Sequence, residues 1–144
     1  MSEKPCMYCG EKPEVLKLMI PICRLEVTTL YLFRNQAHPG RCVIATKEHV
    51  NEFCDLSVED AQAYARDMRR VSLAIREVFH PDKINLGMYF DLGRHLHCHI
   101  VPKYEGGVDW GGTFTMNPEP QVLLSDEEYD ARIALLQAAL SKNA

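Results

Sequence analysis

Residues 95 to 99 read His95-Leu96-His97-Cys98-His99, and Ile100-Val101 follow. Three of the six histidines thus alternate with apolar residues. In a β-strand successive side chains point to opposite faces. The three imidazoles then share one face, spaced roughly 6.6 Å apart at ~3.3 Å per residue, while Leu96, Cys98 and Ile100 pack into a core on the other. Histidine adds little to a sheet that valine or threonine would not add better, so the pattern points to imidazole chemistry. One such chemistry is metal binding, since a His-x-His pair on a strand can hold zinc at about 2.0–2.1 Å. Another is nucleophilic catalysis on phosphorus. An imidazole of pKa about 6.5 keeps a free lone pair near neutrality, provided its second nitrogen donates to a fixed acceptor. A neighbouring N–H histidine can stabilise charge developing on phosphate oxygens. His97, with a histidine on either side, is the nucleophile on geometry. Cys98 falls on the core side and reads as a packed thiol.

A second cluster of reactive types stands near the start, Cys6-Met7-Tyr8-Cys9-Gly10. Taken alone, a Cys-x-x-Cys is a metal-ligand pair, a redox pair or two plain thiols. No βαβ pattern surrounds this one, which argues against redox chemistry. Arg66, Arg69 and Arg70 form a basic cluster in a helical segment, readable as an anion site or, with greater weight, as a solvated face. Trp110, in the Gly-rich run Trp110-Gly111-Gly112-Thr113-Phe114, suits either a base-stacking lid or an aromatic anchor pinning a surface loop.

The elements that must position these groups follow from periodicity. Leu25, Val27, Tyr31 and Phe33 alternate within 24–33 and predict a strand. Residues 35–40 form a turn, and 42–46 a second strand that completes a hairpin. Ser57 caps a long helix whose stripe runs Ala61, Tyr64, Ala65, Met68, Val71, Ile75, Val78 and Phe79, stopped by Pro81. Strands are expected over 84–90 and 96–103. A Gly/Pro-rich segment over 104–122 precedes a final helix opened by the capping box Ser125-x-x-Glu128. Short connections between the strand pairs favour an antiparallel sheet with helices on one side, an α+β arrangement.

With 144 residues the chain is sized for one domain with a normal hydrophobic core. A net charge of −4 without any Lys/Arg run disfavours a nucleic-acid partner. The first residues, Met1-Ser2-Glu3-Lys4-Pro5, do not resemble a signal peptide. The most apolar early stretch, 15–23, holds Lys17 and Pro21 and is too short to span a bilayer. A cytoplasmic protein without a membrane partner is expected, its six cysteines thiols or metal ligands more than disulfides.

The run His95-Leu96-His97-Cys98-His99-Ile100-Val101 resembles the His-φ-His-φ-His-φ-φ signature of the histidine triad (HIT) family of nucleotide hydrolases and transferases. Gly40-Arg41-Cys42-Val43-Ile44-Ala45-Thr46-Lys47-Glu48-His49 resembles that family's Gly-His-φ-φ-φ-x-Pro-Lys-x-His hairpin. The helix from Ser57, the Asn85-x-Gly87 strand and the Pro102-Lys103-Tyr104 exit agree in order and spacing. The likeness covers 6–105. It implies a HIT-like fold over a single domain, 1–144, with an antiparallel sheet of about five strands, one long helix and a C-terminal helix. On this division 6–105 is the core, and 106–144 the C-terminal loop and helix.

The resemblance also implies roles. His97 attacks an α-phosphate and forms a covalent nucleotidyl-histidine that water hydrolyses, and His99 lines the phosphate pocket. Substrates are nucleoside phosphates, typically adenosine, joined to a leaving group as phosphoramidates or dinucleoside polyphosphates. Relatives that begin with Cys-x-x-Cys hold a structural zinc, which assigns Cys6, Cys9, His49 and His95 as its ligands here. Many members are homodimers, with the long helix and fifth strand at the interface.

The chain departs from the family pattern at three places. Arg41 stands where the family has a histidine, and Thr46 where it has proline. The stretch Gly87-Met88-Tyr89-Phe90-Asp91-Leu92-Gly93-Arg94-His95 lacks the Gln that hydrolases of the family carry before the triad. Arg94 has the charge to replace that Gln at a phosphate, while Asn85 and Asn35 are the polar candidates for binding the nucleotide. The missing Gln keeps open a nucleotide-binding module with little catalysis. A hydrolase using the histidines as ligands to a catalytic metal would need a carboxylate close by, and only Asp91 is near in sequence.

Overall fold

A computed structural model describes residues 6–143; residues 1–5, read above as unlike a signal peptide, lie outside the described residues. A five-stranded antiparallel sheet runs in the order β1-β2-β3-β5-β4. Its strands are β1 (Met19–Arg24), β2 (Thr28–Phe33), β3 (Cys42–Thr46), β4 (Lys83–Gly87) and β5 (His97–Lys103). The helices are α1 (Pro13–Leu18), α2 (Val58–Phe79) and α3 (Asp126–Lys142). The fold is α+β.

The sheet is covered on both faces, so β2, β3 and β5 are buried along their whole length. On one face Leu30, Leu32, Ile44, Cys98 and Ile100 pack against Tyr64, Val71, Ala74 and Ile75 of α2 and Leu136, Ala139 and Leu140 of α3. The C-terminal helix, set apart in the sequence reading, therefore belongs to the same hydrophobic core as the sheet. On the other face Tyr31, Phe33, Val43 and Ala45 meet Tyr8, Val15 and Met19 from the N-terminal head. This second face carries the histidines.

The expected long helix is present. Ser57 accepts the Asp60 amide at its start, and His80 closes it in the left-handed region at φ 51°. The strand expected over 24–33 is corrected to two strands separated by a turn at Leu25–Val27. Leu25 N–H donates to the Thr28 carbonyl at 2.8 Å. Asp67, buried on α2, accepts from Glu26 N at 3.1 Å, Val27 N at 2.9 Å and Thr28 Oγ1 at 2.9 Å. That carboxylate supplies what Gly or Pro supplies in other turns. The strand expected over 84–90 ends at Gly87. Strand β1 and the short α1, opened by Pro13 at its first turn, are additions to the expected elements.

Strand β5 begins at His97, so His95 lies just before it. Its neighbours hold it close: Leu96 N–H donates to the Val50 carbonyl, and Thr46 N–H to the Leu96 carbonyl. Across the sheet Ala45 faces His97, and Val43 and Gly87 face His99. Directly opposed residues point to one face, so small side chains flank both histidines. A Cβ on Gly87 would lie 2.7 Å from the Phe114 ring. The glycine is what lets that ring close over His99.

Candidate functional site

The hydrogen bonds of the three histidines assign their tautomers. His97 Nδ1 is 2.8 Å from the carbonyl oxygen of His95. A carbonyl only accepts, so Nδ1 carries the hydrogen and Nε2 keeps the lone pair. Burial holds His97 below the usual imidazole range, against the opposing pull of that carbonyl. The ring is therefore a neutral base with Nε2 free to attack. Its face stacks on Tyr8, with centroids 5.4 Å apart. A Cβ on Gly93 would lie 3.0 Å from His97 Cε1, so the loop before the triad passes close to the ring.

His95 Nε2 donates to the Thr46 carbonyl at 2.7 Å, which leaves its Nδ1 as the acceptor. His49 Nε2 likewise donates to Asn51 Oδ1 at 3.1 Å. Both free Nδ1 atoms point toward the two cysteines. The donor atoms of Cys6, Cys9, His49 and His95 lie within 4.8 Å of one another. His95 Nδ1 is 3.3 Å from His49 Nδ1 and 3.3 Å from Cys6 Sγ. Cys9 Sγ is 3.3 Å from His49 Nδ1 and 3.7 Å from His95 Nδ1. Tetrahedral zinc with bonds of about 2.0–2.1 Å to nitrogen and 2.3 Å to sulfur places such donors roughly 3.3–3.8 Å apart. The donor set and spacing fit that ion, and the bonds to Thr46 and Asn51 are the outer partners that ligating histidines require.

His99 completes the row, its ring 5.4 Å from that of His97. Arg41 Nη2 donates to its Nδ1 at 3.1 Å. Burial first, then the Arg41 charge and His97, bring His99 down to about 3. Phe33 and Phe114 pack around it, with centroids at 5.8 and 6.1 Å.

The other predicted residues are placed as follows. Asn85, half-buried on β4, faces Val101 and so shares the histidine face. Arg94 is exposed in the loop directly before His95. Asn35 braces the backbone in this structure: its amide donates to the Pro118 carbonyl, and its oxygen accepts from Ala37 N and Val122 N. Arg66 pairs directly with Glu26 at 2.7 Å on the exposed surface, and Arg70 donates to the Leu140 carbonyl near the end of α3. Those partners account for two members of the basic cluster without an anion. Trp110 sits 39% exposed on the 104–116 loop and makes no ring contact with the histidines among the described residues. That loop is tied down by Asp109, which accepts from His38 Nε2 and from Thr115, and by Lys103, which donates to the Asp109 and Gly112 carbonyls. Tyr8 and Phe114 were not anticipated as site residues. An aromatic residue between two candidate ligand cysteines was the available signal for Tyr8, and long-range folding alone brings Phe114 in.

Comparisons with known proteins agree with this arrangement. The HIT domain family's sequence pattern matches residues 22–106. The curated "Protein hit" of Bacillus subtilis (strain 168) is 26% identical over 121 residues, covering 75% of this chain and 82% of its own. A crystal structure of a histidine triad protein from Marinobacter aquaeolei VT8 superposes with a TM-score of 0.81 at 20% identity, covering 91% of this chain and 95% of its own. A zinc-bound histidine triad family protein from Mycobacterium smegmatis gives a TM-score of 0.66 at 24% identity, covering 95% and 94%.

Proposed function

Since this chain belongs to the HIT domain family, a family of nucleotide-binding hydrolases and transferases, we propose that it cleaves a nucleoside phosphate derivative at the α-phosphate. The nucleoside is adenosine, and the bond cleaved is of the phosphoramidate or dinucleoside polyphosphate type. The observation that carries this reading is the 2.8 Å bond from His97 Nδ1 to the His95 carbonyl, which directs the lone pair to Nε2 on a buried, neutral ring.

On this reading the Nε2 lone pair forms a bond to the α-phosphorus as the bond to the leaving group breaks. The leaving group takes the electron pair and a proton from solvent, to which the attacking water later returns one. Water then attacks the phosphorus of the nucleotidyl-imidazole, releasing the nucleoside monophosphate and restoring neutral His97. His99 offers its Nε2–H to a phosphoryl oxygen. Asn85, Arg94 and Asn35 are the further nucleotide contacts. Cys6, Cys9, His49 and His95 would hold a structural zinc, which when bound supplies cross-linking of the N-terminal head to β3 and to the lead into β5. We further assign the protein to the cytoplasm as a homodimer. No helix among the described residues is long and apolar enough to cross a membrane. Strand β4 leaves an open sheet edge carrying exposed Leu86, with exposed Tyr89 just beyond its end, which suits pairing of two copies.

Hydrolysis of adenosine 5′-phosphoramidate and of diadenosine polyphosphates tests the reaction. His97→Ala is expected to lower turnover by at least about 10³-fold while AMP binding, followed by calorimetry, persists. Undiminished turnover in His97→Ala contradicts the mechanism. The absent Gln in the stretch before His95 favours a second reading, a nucleotide-binding module. Wild-type protein that binds AMP yet hydrolyses neither substrate would establish it.

A further inference from the structure

Arg41 opens the turn into β3 with 0% of its surface exposed. Its guanidinium lies 4.0 Å above the centroid of Phe33 and 5.2 Å from that of Phe114. Besides donating to His99 Nδ1 at 3.1 Å, Nη2 donates to Met116 Sδ at 3.3 Å, and Nη1 reaches the Thr115 carbonyl at 3.5 Å. The Nε hydrogen has no acceptor. No carboxylate among the described residues pairs with Arg41 directly. The carboxylate whose charge bears on it, Asp109, is committed to His38 and Thr115.

Burying a cation without a paired carboxylate is expensive. Contact with the two phenylalanine rings does not by itself require a charge there. An apolar residue would lose the contacts to the Thr115 carbonyl and Met116 Sδ and, of these partners, the one that belongs to the histidine row, His99 Nδ1. Burial lowers Arg41 to about 10, which leaves it fully charged at neutral pH. A guanidinium has five donors and no acceptor. Its partner atom, His99 Nδ1, must therefore be the lone-pair nitrogen, and the hydrogen of His99 must sit on Nε2.

We propose that Arg41 is a positioning residue that locks His99 in the Nε2–H tautomer and holds a fixed positive charge behind that donor, in place of the histidine usual at this position. The inference rests on the phosphoryl-transfer reading for its kinetic part and on hydrogen bonding alone for its tautomeric part. A histidine side chain in water divides between two neutral tautomers and a charged form. Arg41 removes two of these three states before a phosphoryl oxygen arrives, so the donor needs no rearrangement during the reaction. The arginine also disfavours a second positive charge on His99, which therefore acts as a hydrogen-bond donor and not as a proton source.

The first test uses wild-type protein labelled with 15N-histidine. Long-range 1H–15N correlation is expected to show His99 as Nε2–H with a hydrogen-bonded Nδ1. A Nδ1–H tautomer overturns the proposal without any variant. In Arg41→Met, the His99 signals are expected to shift toward a mixture of tautomers. Arg41→Lys, which also only donates, is expected to restore Nε2–H. With adenosine 5′-phosphoramidate, Arg41→Met is expected to lose about 100-fold in kcat with KM changed less than threefold, and Arg41→Lys to recover at least tenfold of that loss. The double variant Arg41→Met/His99→Ala should be no slower than His99→Ala alone, because Arg41 acts through His99. Additive losses, or a folded Arg41→Met that keeps the Nε2–H tautomer, overturn the proposal. If Arg41→Met does not fold, the wild-type and Arg41→Lys spectra decide. If wild type turns over no nucleotide, the hydrolase reading fails, and the tautomer spectra still decide whether Arg41 sets His99.

Discussion

The carbonyl oxygen of His95 lies 2.8 Å from Nδ1 of His97. One residue thus takes part in two structures at once. Its ring joins Cys6, Cys9 and His49 in a four-donor cluster, and its main chain sets the tautomer of the neighbouring imidazole. A group that fixes His95 therefore also fixes the direction of the His97 lone pair.

The metal cluster gives the first expectation. Protein prepared without chelators should carry one zinc per chain by elemental analysis. Asn51→Ala removes the acceptor of His49 Nε2–H and should weaken zinc affinity about tenfold, measured by competition with a chromophoric chelator. Cys9→Ser should lower both zinc content and Tm. Unchanged zinc content in a Cys6→Ser/Cys9→Ser variant would contradict the ligand assignment.

Asp67 gives a stability expectation remote from the site. It is buried and accepts from two main-chain amides and a hydroxyl of the β1–β2 turn. Asp67→Ala leaves those donors without a partner and should cost about 3 kcal/mol. For a chain of this size that lowers Tm by about 10 °C, read by calorimetry. A change within 1–2 °C would show that the turn does not depend on the carboxylate.

The loop over residues 109–115 should respond to acid. The Thr115 amide first, then the Thr115 hydroxyl and His38, hold Asp109 below the usual carboxylate range. His38 is itself held low by burial and stays neutral near pH 7. A depressed folded-state value means that the carboxylate's contribution is complete above its ordinary pKa, about 3.9. It is lost as pH falls through the lower value in the fold. Trp110, the next residue, should report this as a fluorescence change in that acid window. Asp109→Ala should show the released signal already at neutral pH. An identical acid profile in wild type and variant would contradict the assignment.

Much of this arrangement was legible in the sequence because it rests on local periodicity. The alternation from His95 to Val101, the stripe of α2 and the Ser125 capping box each state their own geometry. The β1–β2 turn was hidden because its stabilising group, Asp67, is about forty residues away, and because Leu25 and Val27 happen to continue the alternation of β2. Strand β1 was missed because Pro21 breaks the look of a strand, although a strand edge tolerates proline. Asn35 reads in the sequence as a polar candidate for the nucleotide, while its bonds to the backbone at residues 118 and 122 are long-range and have no local signal. Arg41 could be recognised as a departure from a family pattern, but its bond to His99 appears only when β3 lies beside β5.

Intact-protein mass spectrometry, after brief mixing with adenosine 5′-phosphoramidate and a quench that avoids acid, tests the central claim most directly. Wild-type protein should gain the mass of one adenylyl group, localised to His97 by peptide mapping, and His97→Ala should gain none. An equal adduct on His97→Ala, or turnover by wild type with no adduct trapped even at the shortest mixing times, would contradict a covalent His97 intermediate.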